Sequence, residues 1–500
     1  MSAFFDSILG PFIEQVVKHP ERRAWQIDDI YYTYSDFGRR VLAIAARVAH
    51  MPGDAIGLYA DNEVDTYAAI WAIWLCGKHY VPLLPQAPEV RNESIMEDAG
   101  VASCLNSSEM VLWPSYEGAL PEGFDLYLNS VHAMDEQKAY VLFTSGSTGT
   151  PKGVVIQKGN IAAFVSSCHA LGYYVQAHDR ILQPFEMTFD LSIMSYLLAF
   201  VHGACLFPLP KDTHKITGIV DVLEKQAISI TILVPSFLHY IRPYFEELSF
   251  PDLRLAIFCG EPLQEAVLNE WSVCCPNAQL DNIYGPTECS VVCCRHTYNA
   301  ALDDNSRLGI VSLGRPMPGN LLMVQNAMGE AVPDGEAGEL VIGGAQVMPG
   351  YLNRPTLNES VLFERRVDGQ MIRFYKTGDW VIRRSDGRFD FISRIDFQVK
   401  VQGHRVELGE VEFHARAVLG EDYILLVQAI QHTREQVELV LFIQAHTPDE
   451  YALREALRSR LPHYMIPTQV VSMPQFPMNA NGKTDRKALA QAWLNEMNLV

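Results

Sequence analysis

The sequence predicts an α/β protein: a large multi-layered N-terminal domain rich in parallel strands, a β-rich subdomain at its end, and a small α+β domain at the C-terminus. Three observations predict it. Short β-branched runs alternate with helix-like stretches through the first 390 residues, as in DAIGLYA (54–60), VDTYAAIWAIWLCG, AYVLFTS (139–145), SITILVP (229–235) and RLAIFCG (254–260). Such alternation is the signature of strands paired in parallel through helical crossovers. From Gly338 the texture changes to ELVIGG, RFYKTGDWVIRR and GRFDFISRI, which read as antiparallel hairpins with glycine turns. After about residue 396 a compact block follows: strand-like FQVKVQG, helix-like ELGEVEFHARAVL, strands at YILLVQAI and ELVLFIQA, and a helix at DEYALREALRSRL. The boundary is placed so that residues 1–394 form the large domain and 395–500 the small one.

Length and composition support this division. A chain of 500 residues allows about two to four domains. At 48% hydrophobic and 20% charged it can bury a large core, which excludes collagen, coiled coil and wholesale disorder. With 39 basic against 59 acidic residues the formal charge is −20, a surface that repels nucleic acid and anionic membranes. An anionic substrate must therefore be held by local positive groups. The N-terminus, MSAFFDSILG, lacks a basic start and carries Asp6, so it is no secretory signal. The most apolar stretch, Leu191 to Pro210, is interrupted by Ser192, Ser195, His202 and Gly203 and falls short of the ~20 apolar residues of a membrane helix. The ten cysteines, several in apolar runs (Cys76, Cys205), read as buried reduced thiols of a cytoplasmic protein. The adjacent pairs Cys274-Cys275 and Cys293-Cys294 lack CxxC spacing, and the fifteen histidines show no metal spacing.

One segment points to phosphate. Residues 143–153, FTSGSTGTPKG, follow the apolar strand YVLF. Glycines Gly146, Gly149 and Gly153 let the backbone approach a ligand. Thr144, Ser145, Ser147, Thr148 and Thr150 supply hydroxyls, and Lys152 supplies a positive charge. Together these can wrap a polyphosphate. It is not a Walker A loop, because Pro151 and Gly153 stand where glycine and Ser/Thr are required.

The loop resembles the phosphate loop of the adenylate-forming superfamily, which includes acyl-CoA synthetases, luciferases and the adenylation domains of nonribosomal peptide synthesis. Further motifs occur in the family's order: YVPL (80–83), FDLS (189–192), YGPTE (284–288), GELVIGG (338–344), GYLNRP (350–355), YKTGDW (375–380), SRIDFQVKVQGHRVELGEVE (393–412), LPHYMIP (461–467) and NANGKTDR (479–486). The resemblance runs from about Tyr32 to Leu489. It implies an enzyme that joins a carboxylate to the α-phosphate of ATP, releases pyrophosphate, and passes the acyl group to a thiol. It also implies that residues 1–394 are the adenylation core and 395–500 a mobile lid, with Asp396 as the hinge.

Residue by residue, the resemblance assigns ATP binding to Thr144, Ser145, Gly146, Ser147, Thr148, Gly149, Lys152, Gly260, Glu261, Asn282, Tyr284, Gly285, Thr287, Asp379, Arg394 and Lys483. Tyr284 would stack on adenine and Asn282 read its amino edge. Asp379, in what reads as a turn, would accept the ribose hydroxyls with Arg394 in support. Glu288 would hold Mg²⁺, which usually takes one or two carboxylates plus phosphate oxygens. Lys483, with Thr287, Glu288 and Arg394, makes up the catalytic set: its ammonium would bridge the substrate carboxylate and the α-phosphate. Ser393 departs from the family's usual glycine without removing a catalytic group.

FDLS discriminates among acids. Asp190 follows EMTF, which reads as an apolar strand, and a buried carboxylate calls for a cationic partner. In the amino-acid-activating branch the matching aspartate pairs with the substrate α-ammonium; a helix N-cap is the plainer alternative. The other positions matching the specificity pocket are Leu191, Met194, Ser236, Ile257, Cys259, Ile283, Val291 and Val292, uncharged with one hydroxyl. They imply a small apolar side chain. FCGE (258–261) together with FDLS resembles D-alanine–carrier protein ligase, in which the cysteine lines the α-carbon. The chain ends about ten residues past the lysine motif, so the phosphopantetheine carrier is expected to be a discrete protein. Two alternatives stand beside this reading: an acyl-CoA synthetase using free CoA, and a catalytically silent adenylate-binding protein.

Overall fold

The computed structural model describes residues 2–128, 134–146, 150–173, 175–211, 213–300, 309–396, 398–420, 423–433, 436–444, 448–478, 484 and 486–496. It is a mixed α/β fold with a large N-terminal and a small C-terminal part, and its contacts separate two compact units. The first comprises Met1–Pro85, Ile95–Phe143 and Gly153–Ile395; the second comprises Gln86–Ser94, Thr144–Lys152 and Asp396–Val500. The phosphate-loop segment thus groups with the C-terminal residues.

Three sheets build the first unit. The largest has nine strands, and its centre is parallel: Arg180–Gln183, Ile230–Leu233, Leu255–Phe258 and Gln279–Tyr284 lie side by side. Ile230–Leu233 and Leu255–Phe258 are buried on both faces, as a sheet covered on both sides requires. A six-stranded sheet contains Lys138–Thr144 and Lys152–Gln157, the strands flanking the phosphate loop. The third, five-stranded and antiparallel, is built on Gln370–Arg383, which pairs with Ala337–Gly344, Leu362–Val367 and Phe389–Arg394.

Two helices are apolar almost all round and accordingly buried. Val64–Leu75 has every residue buried, and Leu191–His202 is buried from Leu191 to Val201. Their aromatic rings meet: Trp71 lies edge-on to Phe200 and Trp74 is tilted against Tyr196. The polar helix Tyr34–Val48 packs beside them, started by a capping box in which the Thr33 hydroxyl accepts the Asp36 N–H and the Asp36 carboxylate accepts the Thr33 N–H.

In the second unit, a hairpin Gln398–Val401/His404–Glu407 leads into helix Leu408–Leu419, and the three-stranded sheet Leu425–Thr433, Gln436–Gln444 and Gln469–Met473 follows. Helix Glu450–Arg458 covers it through Leu453 and Leu457.

The structure corrects three local readings. EMTF is a turn, not a strand, because the strand stops at Gln183, whose side chain donates to the Phe185 carbonyl at 3.1 Å. Asp379 lies within the 14-residue strand Gln370–Arg383 and not in a turn; Gly378 at φ +72° and a register shift at Trp380/Val381 bend that strand without ending it. Of the cysteines, eight are buried, Cys76 is half-buried and Cys104 is exposed. Among the described residues no helix is long and apolar enough to cross a membrane.

Candidate functional site

The carboxyl end of the strand Gln279–Tyr284 is the centre of the site, where ligands gather in open α/β sheets. Asn282 is buried, and its side-chain N–H₂ donates to the carbonyls of Val311 (3.3 Å) and Ser312 (2.9 Å). That fixes the amide's orientation and leaves Oδ1 as the atom able to accept from an amino group. Tyr284 donates its hydroxyl to Asp379 Oδ2. Burial, then the Asp379 charge, pushes the Tyr284 phenol well up, so it remains a donor. Asp379 also accepts from Arg394 Nη1 at 2.9 Å, directly across the strand pair, and Arg394 donates to the Thr377 carbonyl at 3.0 Å. The structure therefore joins half-buried Tyr284 and Arg394 to buried Asp379 in one polar group.

Beyond Tyr284, Gly285 passes so close to Val292 that a side chain would meet its Cα, and would lie 2.6 Å from the Val291 carbonyl. A 3₁₀ turn, Thr287–Cys289, follows, and the chain then takes two left-handed steps, Ser290 at φ +55° and Val291 at φ +75°. For a β-branched residue this is strained backbone, of order 1–3 kcal/mol, and it persists only where surroundings enforce it. Gln346 does so: its buried amide donates to the carbonyls of Cys289 (3.2 Å), Ser290 (3.3 Å) and Val292 (2.7 Å).

Glu288 is fully buried. Its Oε1 accepts the Tyr351 hydroxyl at 2.5 Å, and Tyr351 lies 3.3 Å from the Tyr375 hydroxyl. Tyr351 belongs to the two-residue strand Gly350–Tyr351, which pairs with Lys152–Gln157 in the register Tyr351↔Val154. Leu352 N–H donates to the Gly153 carbonyl at 2.8 Å. Asn358 clamps the strand from outside, accepting the Tyr351 N–H at 2.7 Å and donating to the Tyr351 carbonyl at 3.0 Å. One phenol thus ties the buried carboxylate to the strand that leaves the phosphate loop.

Three of the predicted pocket residues lie at or just past the ends of neighbouring strands. Ile257, Cys259 and Ile283 share one sheet face, given the register Ile257↔Asp281 and Phe258↔Asn282. All three are buried, as are Leu191, Met194, Val291 and Val292. Gly260 turns at φ +94°, and the Glu261 carboxylate accepts the Ser236 N–H at 2.7 Å. Asp190 is buried at the start of Leu191–His202, yet its side chain makes no capping hydrogen bond to that helix. The N-cap alternative therefore does not account for it.

Within the second unit, Ser145 Oγ donates to the Arg405 carbonyl (2.8 Å) and accepts the Glu407 N–H (3.1 Å). Gly146 N–H donates to Glu410 Oε2 at 3.1 Å, and Lys152 lies 3.8 Å from Glu407. Glu410 is itself paired with Arg91 at 2.7 Å; burial raises its carboxyl against the pull of that arginine. Gly146 and Lys152 thus each face a carboxylate. Thr144 Oγ1 is buried with no partner among the described residues. Asp396 is exposed and accepts the Gln398 N–H at 3.3 Å. Ser147, Thr148, Gly149 and Lys483 lie outside the described residues.

Sequence reasoning missed Gln346, Tyr351 and Tyr375. The first had a signal, a lone amide in the otherwise apolar AQVM; the tyrosines had none beyond their place in motifs.

The comparisons place the chain in the adenylate-forming superfamily, and it belongs to that superfamily. The AMP-binding enzyme family matches residues 12–352. The chain is 30% identical over 504 residues to zwittermicin A synthase ZmaJ of Bacillus cereus, covering 96% of this chain and 94% of that protein. It is also 29% identical over 506 residues to tyrocidine synthase 1 of Brevibacillus parabrevis, where the match covers 97% of this chain but only 45% of that protein. Its fold matches the Vibrio cholerae adenylation domain AlmE, solved in complex with glycyl-adenosine-5'-phosphate, with TM-score 0.86 over 98% of both chains at 24% identity. A four-domain nonribosomal peptide synthetase bound to AMP and glycine aligns at 29% identity and TM-score 0.66, over 96% of this chain and 36% of that one.

Proposed function

We propose that the protein activates a small apolar amino acid, D-alanine or one of comparable size, as its aminoacyl adenylate and transfers it to the phosphopantetheine thiol of a carrier protein. The observation that carries this reading is Asp190: a buried carboxylate, uncapped, at the head of a helix whose first turns bring Leu191 and Met194 to the same place. A carboxylate there suits an α-ammonium and has no counterpart in a fatty acid. Two relatives solved with glycine or its adenylate support a small side chain.

In this reading the ribose hydroxyls meet Asp379 and Arg394, adenine lies against Tyr284, and the Asn282 carbonyl accepts from its amino group. Thr287 and the phosphate loop receive the phosphates. A substrate carboxylate oxygen bonds to the α-phosphorus as pyrophosphate leaves; Lys483 offsets the charge gathered there. The carrier thiol then attacks the acyl carbon and AMP departs. Glu288 would hold Mg²⁺, whose part is to neutralise phosphate charge. The fit rests on the chemistry of a buried carboxylate, oriented by a phenol, of the kind Mg²⁺ takes together with phosphate oxygens.

ATP–pyrophosphate exchange across glycine, both enantiomers of the small amino acids, and fatty acids tests the reading. Exchange confined to fatty acids would favour the acyl-CoA synthetase alternative; no exchange with any acid would favour the silent one.

Two substitutions sharpen it. Cys259→Ala should improve the disfavoured alanine enantiomer most, narrowing a preference of ~1–3 kcal/mol; an unchanged enantiomer ratio in exchange assays would remove Cys259 from the α-carbon. Tyr351→Phe deletes the hydrogen bond that orients Glu288. Apparent Mg²⁺ affinity should fall ~10–100-fold, with kcat at saturating Mg²⁺ changed only a few-fold. An Mg²⁺ titration indistinguishable from wild type overturns the positioning role.

A further inference from the structure

We propose that His169 and His202 form a two-histidine site for a borderline divalent cation of the Zn²⁺, Ni²⁺ and Cu²⁺ class, separate from the adenylation chemistry. His169 lies in the last turn of helix Lys158–Ala170 and His202 ends helix Leu191–His202. Their Nε2 atoms are 2.7 Å apart and the rings meet edge-on, with centroids 4.8 Å apart.

The tautomer follows from one contact. His202 Nδ1 lies 2.9 Å from the Leu198 carbonyl, which can only accept, so Nδ1 carries the proton and Nε2 presents a lone pair. A ring N–H tied to a backbone carbonyl is how proteins set a metal-ligating histidine, since it fixes the ring and raises its basicity. The His169 Nε2 converges on the same point. A proton joins the two nitrogens in this arrangement, and a cation can take its place. Nitrogens about 2.0–2.1 Å from a tetrahedral ion stand roughly 3.3 Å apart, so the pair must open by ~0.6 Å. His169 is exposed and can swing by that amount, while His202, half-buried, stays fixed.

The ligand set also decides the class. Two imidazoles suit Zn²⁺, Ni²⁺ and Cu²⁺, whereas Mg²⁺ prefers oxygen. Among the described residues no third His, Cys, Asp or Glu completes a cluster, so water fills the remaining positions. Such an ion would fasten the ends of the two helices together and stabilise the fold by mass action.

The test uses the full chain with any histidine tag removed. Zn²⁺ is titrated calorimetrically, and the thermal midpoint is followed with and without Zn²⁺ in excess Mg²⁺. One Zn²⁺ should bind saturably and raise the midpoint. His169→Gln and His202→Gln should each weaken binding at least ~10-fold and abolish the midpoint rise. In the wild type, Cu²⁺ should give an EPR spectrum with hyperfine coupling to two imidazole nitrogens, a readout independent of how the variants fold. No saturable binding up to about 0.1 mM free Zn²⁺, binding unchanged in both variants, or coupling to fewer than two nitrogens overturns the site.

Discussion

Replacing Lys483 by alanine is expected to abolish adenylate formation while leaving ATP binding within a few-fold of wild type. The reacting groups are both anions, and the charge that must be offset grows as the carboxylate oxygen closes on phosphorus. A positioned cation matters most at that point, and removing one such group typically costs ~10²–10³-fold in rate. Ground-state ATP has many other contacts in the proposed site, from the phosphate loop to Asp379. Pyrophosphate exchange and ATP binding by calorimetry, run on the same preparation, separate the two effects. Exchange within tenfold of wild type would overturn the catalytic assignment.

Asp190→Ala should raise the amino-acid KM sharply and leave that for ATP nearly unchanged. Removing one partner of a buried ion pair strands the other, at about 3–5 kcal/mol or roughly 10²–10³-fold. The uncapped setting of Asp190 makes this a sharp test, because the substitution removes no hydrogen bond to the helix N-terminus. Wild type should prefer alanine over propionate strongly and the variant should not. An unchanged preference would mean that Asp190 does not read the ammonium.

The sequence carried the strand and helix pattern of both units well, because each element announces itself through local periodicity. FQVKVQG, ELGEVEFHARAVL and the two following runs became hairpin, helix and paired strands with only small changes at their ends. The misreadings have local causes as well. EMTF is apolar enough for a strand, but the strand ends at Gln183, whose side chain bonds to the Phe185 carbonyl and to the Met187 sulfur in the turn that follows. TGD has a turn's composition, yet cross-strand pairing on both sides of Gln370–Arg383 keeps it extended. What could not be read was long-range: Gln346 acts on Ser290 and Tyr351 on Glu288 across 56 and 63 residues. Nor does any sequence rule anticipate Val291 in a left-handed conformation, since a β-branched side chain argues against it. That strain sits beside the proposed substrate pocket, where local rules are expected to yield to function.

The two-way clamp of Asn358 on Tyr351 has a consequence for how this protein can vary. Asn358 sits in the short helix Pro355–Val361, half-buried, and its side-chain amide bonds to the backbone atoms of a single neighbour. Through that neighbour its amide governs where a phenol, and then a carboxylate, comes to rest. An inventory of residues in contact with substrates would pass over it, whereas tolerance to mutation would group it with Glu288. The border of the proposed site is therefore mechanical, and it runs two hydrogen-bonded steps beyond Glu288.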